Sequence, residues 1–437
     1  MTPGHLLAHG IGGRGDLPLP FGFALTGAAL ALVVSFLALG LLWPSPRLDG
    51  GRAGRSSGLA RALQGDVRRR LLGAAGLALA ALTLLAAFAG PSDTRNALPF
   101  VVYVLVWVGV VPLSLLLGPA TWAHLSPWRT VHELVCRAAR VDPAQGVLPL
   151  PARLGWWPAA VGLTAFVWLE LVSPSGTDVG VLRLVVVAYA ALQLLAGFVL
   201  GSGWFDRGDF LEAWSGLLGL LSPVGRRDDG VAVLRSPLAG LDQLRASPGL
   251  AATVVVMLGS TAYDSVREHP TYVGAVQSGP LPRTLADTLA LGAVLGVVAV
   301  AFWAASASAG RLGGTRGGGA ATRFAPSLVP IALGYVVAHY YSFLVLEGQN
   351  AVVRLSDPLG TGGGLTGRAA DATLVAPGIV ATVQLVAIVA GHVLGVVLAH
   401  DRAVRLFPRS RAVVGQLPLL VLMVAYTVGG LLLLFAA

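Results

Sequence analysis

The stretch from residue 21 to residue 43 reads FGFALTGAALALVVSFLALGLLW and carries no charged side chain. As an α-helix rising 1.5 Å per residue it is about 34 Å long, enough to cross the ~30 Å hydrocarbon layer of a bilayer. Little charge precedes this stretch, whereas Arg47, Arg52 and Arg55 follow it. A secretory signal has the opposite order, so we predict a membrane-spanning helix and not a cleaved signal peptide.

Nine further apolar runs of similar character follow along the chain. They lie at about 71–90, 97–117, 156–173, 179–200, 250–267, 284–305, 327–346, 374–398 and 417–436. The 437 residues are 55% hydrophobic and only 12% charged, which is about half the charge of a soluble globular protein. The sequence therefore predicts an all-α, polytopic bundle of about ten transmembrane helices that forms a single domain from residue 21 to residue 437.

The arginines are distributed unevenly between the connecting segments. Of the 30 basic residues, all of them arginine, 23 fall in alternate segments, which are 44–70, 118–155, 201–249, 306–326 and 399–416. Because cytoplasmic loops of membrane proteins are rich in basic residues, we predict that these five segments are cytoplasmic. Both termini, including the segment 1–20, are then expected to face outward. We expect a multi-pass protein of the cytoplasmic (inner) membrane.

The composition excludes several kinds of chemistry. The chain has no lysine, which excludes a P-loop of the form G-x-x-x-x-G-K-[ST] and a Schiff-base mechanism. Its single cysteine, Cys136, can form neither an intramolecular disulfide nor a cysteine cage for a metal. The cytoplasmic loops account for the net charge of +9, so we expect the lipid bilayer as partner and no nucleic acid. Glycine runs such as 313–319 are interpreted as connectors, and no residues are assigned to cofactor binding.

Ionisable side chains within predicted spans are costly in lipid and often mark functional sites. They are Glu170, Arg183, Asp264, Asp287, His339 and His392. Two polar stripes at i, i+4, i+7 spacing are Ser260, Asp264 and Arg267 on the sixth helix, and Tyr335, His339 and Ser342 on the eighth. We predict that both stripes face the bundle interior, with His339 close to Asp264. The competing interpretation is that such histidines only bond a neighbouring carbonyl.

Two local irregularities are also predicted. Pro377 and Gly378 stand before Gln384 and His392, which indicates a kinked ninth helix with polar side chains along a cavity. Apolar residues at helical spacing among the acids of segment 204–218 favour an amphipathic helix at the membrane interface.

Three stretches resemble a known family of bacterial, largely actinobacterial, integral membrane proteins named fenitrothion hydrolase. The stretches are AHGIGGRGDLPLP at 8–20, LGSTAYD at 258–264, and the segment 335–349 that contains His339 and Tyr340. The similarity spans most of the chain. It implies an enzyme that hydrolyses organophosphate esters.

Hydrolysis of such esters usually needs an activated water, most readily one bound to a divalent metal held by histidine and carboxylate ligands. The best candidate ligands are His339, Asp264 and His392. We expect His339 and Asp264 to act in catalysis, with Tyr340 or Arg183 stabilising charge on the phosphoryl oxygen. An apolar small-molecule substrate would reach such a site from the bilayer or the outer face.

The residues leave two other functions open. Ten helices with outward-facing acids are also typical of a transporter for a small solute or cation. A non-catalytic subunit of a membrane complex, whose polar stripes bind a partner helix, is the third alternative.

Overall fold

A computed structural model describes residues 14–315 and 319–435, so residues 1–13 of the predicted outward segment and 316–318 of the glycine-rich connector lie outside it. Within the described residues, nine helical segments are long and apolar enough to cross a membrane. They span Phe21–Leu42, Gly58–Ala89, Phe100–Leu117, Ala152–Leu171, Val179–Leu200, Arg283–Leu312, Ala320–Ser356, Pro377–Leu406 and Arg409–Leu434. The chain is an all-α, polytopic membrane protein, as predicted.

The helical region divides into two compact units. Unit 1 contains residues up to 49, 242–343 and 375–437. Its helices are α1 (Phe21–Leu42), α12 (Leu250–Glu268), α13 (Pro270–Ser278), α14 (Arg283–Leu312), α15 (Ala320–Phe324), most of α16 (Val329–Ser356), α17 (Pro377–Leu406) and α18 (Arg409–Leu434). Short 3₁₀ turns cover Arg14–Asp16 and Ala325–Leu328. The long helices of this unit carry the two polar stripes.

Unit 2 contains residues 50–241 and 344–374. Its helices are α2 (Gly58–Leu63), α3 (Asp66–Ala89), α4 (Val110–Leu117), α5 (Thr121–Leu125), α6 (Pro127–Ala139), α7 (Trp157–Leu171), α8 (Val179–Leu200), α9 (Phe205–Gly208), α10 (Phe210–Gly219) and most of α11 (Pro237–Asp242). A π-helix covers Phe100–Val108, and 3₁₀ turns cover Ala152–Leu154 and Ser202–Trp204. A small antiparallel sheet has the order β1 (Arg55–Ser56), β3 (Ala232–Leu234), β2 (Val224–Arg226).

The sixth apolar run differs from the other nine. It forms α12, but this helix is not among the segments that qualify as membrane spans. Fourteen of its 19 residues are buried, and its last turns contain Asp264, Arg267 and Glu268. A helix enclosed by protein needs no continuous lipid-facing surface, so polar residues can be accommodated along it. The run is therefore a core helix of unit 1, and its 19 residues are about 28 Å long, enough to cross the membrane inside the protein.

Two further expectations were wrong in detail. Pro377 and Gly378 occupy the first turn of α17, so they begin the helix and do not kink it. Proline fits there because the first amide groups of a helix have no intrahelical acceptor. The segment 204–218 does contain a helix, α10, but nearly every residue of α10 is buried in unit 2. Its apolar residues pack inside the protein, whereas an interfacial helix would expose one polar face.

The orientation of the helices remains a prediction that labelling can test. In a Cys136→Ser background, single cysteines replace Asp16 before α1, Leu148 in the segment 118–155, and Arg368 in the loop 348–371. Because arginine-rich segments stay in the cytoplasm, we expect an impermeant maleimide to label intact cells at positions 16 and 368 and to spare position 148 until the cells are opened. Labelling of intact cells at position 148 alone would reverse the orientation.

Candidate functional site

A serine, a histidine and an aspartate meet inside unit 1. Helix α12 supplies Asp264 and Ser265, and α16 supplies His339. The Ser265 Oγ lies 3.1 Å from His339 Nε2, and His339 Nδ1 lies 3.7 Å from Asp264 Oδ2. The two ring nitrogens of one imidazole thus face a hydroxyl on one side and a carboxylate on the other. All three side chains are buried.

Among the three side chains of this cluster, the Asp264 carboxylate is the one whose burial costs the most free energy. Its residue is 2% exposed, and neither carboxylate oxygen accepts a hydrogen bond from the described residues. An ionised carboxylate without compensation is very unfavourable in a low-dielectric interior. The His339 imidazole lies within ion-pair distance of it, with Nδ1 3.7 Å from Oδ2. The arrangement therefore favours a proton on His339 Nδ1, which leaves Nε2 as the acceptor for the Ser265 hydroxyl.

A cavity of about 270 Å³ adjoins this cluster. Ser265 lines it, together with aliphatic and aromatic side chains of α12, α14 and α18 and the residues Ile331 and Tyr335. Besides Ser265, the hydroxyl-bearing side chains of the wall are Tyr335 and Tyr426. The cavity lining is therefore mostly apolar.

Tyr335 connects the cavity wall with both histidines. Its ring stacks on that of His339 with centroids 6.5 Å apart, and it meets the edge of His392 at 5.8 Å. Its hydroxyl donates to the Tyr426 carbonyl at 3.1 Å. A Cβ atom on Gly430 would collide with that hydroxyl. The absence of a side chain at position 430 thus leaves the space that the Tyr335 hydroxyl occupies.

His392 is buried and donates from Nδ1 to the Ile388 carbonyl at 2.9 Å. This hydrogen bond to a carbonyl corresponds to the purely structural role considered for such histidines. Its Nε2 has no hydrogen-bond partner among the described residues. No three His, Cys, Asp or Glu side chains come together as a metal site in the part of the chain that the structure describes. The structure brings Asp264 and His339 together, but it does not join His392 to them as a third ligand. The divalent metal site expected from the sequence stays a prediction.

Two other candidate residues, Tyr340 and Arg183, have recorded contacts of their own. Tyr340 is buried on α16 and packs edge-on against Phe343. Arg183 belongs to unit 2, where its guanidinium donates to the Ala87 carbonyl at 3.4 Å and lies over the Phe88 ring. Their role in stabilising charge on the phosphoryl oxygen stays a prediction.

Asp287 and Ser265 show what the sequence interpretation missed. Asp287, one of the ionisable residues in the predicted spans, accepts from Tyr272 at 2.7 Å and pairs with Arg283 one turn before it. Ser265 was overlooked because it stands one position outside the stripe through Asp264. Adjacent residues on a helix point about 100° apart, so both can still reach a ring that approaches between them.

A second buried polar cluster lies in unit 2, around Asp209 at the start of α10. One oxygen accepts from the indole groups of Trp122 at 2.9 Å and Trp128 at 2.6 Å. The other accepts from the Tyr189 hydroxyl at 2.7 Å and from the backbone amides that open α10. Burial raises the pKa of Asp209, and these hydrogen bonds act in the opposite direction. Every acceptor position is occupied from within the protein, so this cluster is structural.

Comparisons with known proteins return no relative: no family model matches the chain, and no curated protein and no solved structure is significantly similar to it. The chemistry of the site therefore rests on the arrangement of Ser265, His339 and Asp264 beside an apolar cavity.

Proposed function

We propose that unit 1 hydrolyses an apolar ester with Ser265 as nucleophile, His339 as general base and Asp264 as the group that stabilises the imidazolium. One observation carries the proposal: Ser265 touches His339 Nε2 while it also lines the cavity, and Asp264 faces Nδ1 of the same ring. This is the order of contacts in serine hydrolases of unrelated folds, where geometry and not chain position defines the triad. We further propose the cytoplasmic membrane as its location, since the arginine distribution follows the positive-inside rule.

The proposed reaction has two balanced steps. In the first, the Ser265 oxygen attacks the ester's carbonyl carbon or phosphorus while its proton passes to His339 Nε2, and the leaving oxygen takes that proton as its bond breaks. In the second, water gives a proton to Nε2 and attacks the serine ester. The acid departs, and the Ser265 oxygen recovers the proton. The 3.7 Å between Nδ1 and Asp264 would shorten as the ring becomes charged, because catalytic hydrogen bonds often tighten only in the reacting complex.

The choice of ester changes the expected kinetics. An acylated serine is attacked readily by water, so carboxylic esters should turn over. A phosphorylated serine resists water much more strongly, because its phosphorus is tetrahedral and crowded by its substituents. The organophosphate hydrolase implied by the resemblance to fenitrothion hydrolase would then be a slow activity of a serine hydrolase. No step of this scheme passes through a metal.

The test is a comparison of two chromogenic esters on purified protein. With p-nitrophenyl butyrate we expect continuous release of p-nitrophenol. With diethyl p-nitrophenyl phosphate we expect a burst of about one p-nitrophenol per chain and then a slow phase, the kinetic sign of a covalent intermediate. Peptide mapping should place the diethylphosphoryl group on Ser265. Heat-denatured protein is the control. Steady phosphate-ester turnover without any labelled serine, or no reaction with either ester, would contradict the proposal.

The buried carboxylate also keeps transport as the second candidate. An intramembrane aspartate whose oxygens accept no hydrogen bond from the described residues is a typical site for a proton or a small cation in carriers. Such a carrier would show proton-driven or cation-driven uptake in proteoliposomes, lost in Asp264→Asn, while Ser265→Ala would transport normally. The requirement for Ser265 therefore separates the two functions.

A further inference from the structure

The cavity beside Ser265 reaches the surface of unit 1 between α14 and α18. Among its lining residues, Val297 of α14 is 69% exposed, and Ala425 of α18 is exposed as well. Val300 and Val421, at 70% and 66% exposure, lie near these two residues on the same helices. Both helices are membrane spans, so exposed aliphatic side chains along them face lipid. The opening is thus an apolar one on the lipid-facing side of the two helices.

We infer that this cavity takes up an unbranched hydrocarbon chain of the substrate from the bilayer, through the seam between α14 and α18, and holds its ester group at Ser265. The inference rests on the proposed function and adds the class of substrate and its route. A chain already dissolved in lipid crosses no aqueous layer on this path. Its reacting ester would come to lie beside the Ser265 and tyrosine hydroxyls, which are the polar groups of the wall.

The size and lining of the cavity limit what fits. A volume of about 270 Å³ is near the lower end of the ~300–1,000 Å³ range of ligand sites. Its wall carries no charged side chain, so a charged headgroup would enter without compensation. A medium-length chain attached to a small ester suits this space, whereas a two-chain phospholipid would have to leave its headgroup and second chain outside.

Small residues on α18 keep the space open. Gly429 lines the cavity, and a Cβ atom placed on it would meet no other atom within 4 Å. A Cβ atom at this position therefore meets no protein atom, and a longer side chain there narrows the cavity. Gly292 of α14 is a matched control, because a Cβ atom there also meets open space and the residue does not line the cavity.

The experiment combines hydrolysis with photocrosslinking in lipid vesicles. We expect Gly429→Leu to lower kcat/KM for p-nitrophenyl octanoate by at least about tenfold, since added carbon atoms in an apolar pocket discriminate at this level. The loss with p-nitrophenyl acetate should be smaller, because an acetyl group is too short to occupy the cavity. Gly292→Leu should behave like the unaltered protein with both esters. An octanoate ester with a diazirine at the end of its chain should crosslink to residues of α14 and α18, including in the Ser265→Ala variant.

Crosslinking of the inactive Ser265→Ala variant tests the hydrocarbon-binding cavity independently of the proposed hydrolase function. If the chain crosslinks at the cavity but Ser265 never reacts with any ester, the proposed function is wrong and the hydrocarbon site stands. If esters are hydrolysed at Ser265 but Gly429→Leu treats acetate and octanoate alike and no crosslink reaches α14 or α18, the hydrocarbon route is wrong. Failure of both hydrolysis and crosslinking overturns both.

Discussion

Ser265→Ala and His339→Ala are each expected to lower kcat for p-nitrophenyl butyrate by about 10⁴-fold or more, down to the background rate. In the proposed mechanism Ser265 supplies the oxygen that forms the covalent intermediate, and His339 supplies the proton transfer that makes this oxygen nucleophilic. Asp264→Asn should cost a comparable factor, because an amide cannot stabilise the imidazolium and favours the wrong tautomer of the ring. Initial rates on purified protein in detergent measure all three losses.

Two comparisons distinguish catalysis from a merely structural role. The double variant Ser265→Ala with His339→Ala should be no slower than either single variant, since residues that act as one unit lose their effect together. Ser260→Ala is the matched control, because Ser260 is buried on the same helix and bonds only the Met257 carbonyl in the recorded contacts. Its rate should stay near that of the unaltered protein. Should His339→Ala misfold, His339→Gln retains a polar side chain and tests the same step. Full activity of Ser265→Ala would eliminate the serine mechanism.

The proximity of Asp264 and His339 was accessible from sequence because each stands in a helical stripe, and a polar stripe inside a membrane bundle turns away from lipid. Helical phase gives the face of one helix, but it does not tell which neighbour that face meets. His392 shows the difference: it was expected to join Asp264 and His339 as a ligand, yet it bonds Ile388 of its own helix. The register between helices depends on how their side chains interdigitate, which no single segment encodes.

Burial could not be predicted where hydropathy gives the same signal for lipid and for protein. An apolar surface is satisfied equally by acyl chains and by other helices, so the run at 250–267 and the segment 204–218 both looked like membrane-contacting helices. In the structure α12 and α10 are instead core helices of their units. The acidic residues Asp264 and Asp209 indicate burial in protein better than hydropathy does. Asp264 lies within an apolar helix and Asp209 caps the start of one, and each has partners on another helix.

The arginine-rich segments have a structural role in addition to any role in orientation. Arg129 on α6 forms two hydrogen bonds with the Glu212 carboxylate, at 2.6 and 3.1 Å, and its side chain is only 14% exposed. Arg68 bonds both the Leu117 carbonyl and His124. Burial and the neighbouring Arg68 lower the pKa of His124 to about 4, so its Nδ1 remains free to accept from that guanidinium near neutral pH. Several of the counted arginines are therefore held in place by unit 2 itself.

Asp209→Ala is expected to destabilise unit 2 by about 3–5 kcal/mol, because a buried donor left without its acceptor costs about 1–3 kcal/mol. The change removes the acceptor of two indole groups and one tyrosine hydroxyl, and it leaves those donors buried without partners. It also removes the side-chain cap at the start of α10, which accepts from the amides of Leu211 and Glu212. Because α10 is almost completely buried, disturbance at its first turn should spread through the unit.

Thermal unfolding in detergent, followed by tryptophan fluorescence, measures this loss. The matched control is Asp206→Ala, three residues earlier in the same segment. The Asp206 side chain is 62% exposed and pairs with Arg129 at 2.7 Å, and an exposed ion pair contributes at most about 1 kcal/mol. Asp209→Asn should fall between the two variants, since its amide retains one acceptor oxygen in place of two. Equal melting of Asp206→Ala and Asp209→Ala would show that the buried carboxylate does not hold α10, α8 and the two indoles together.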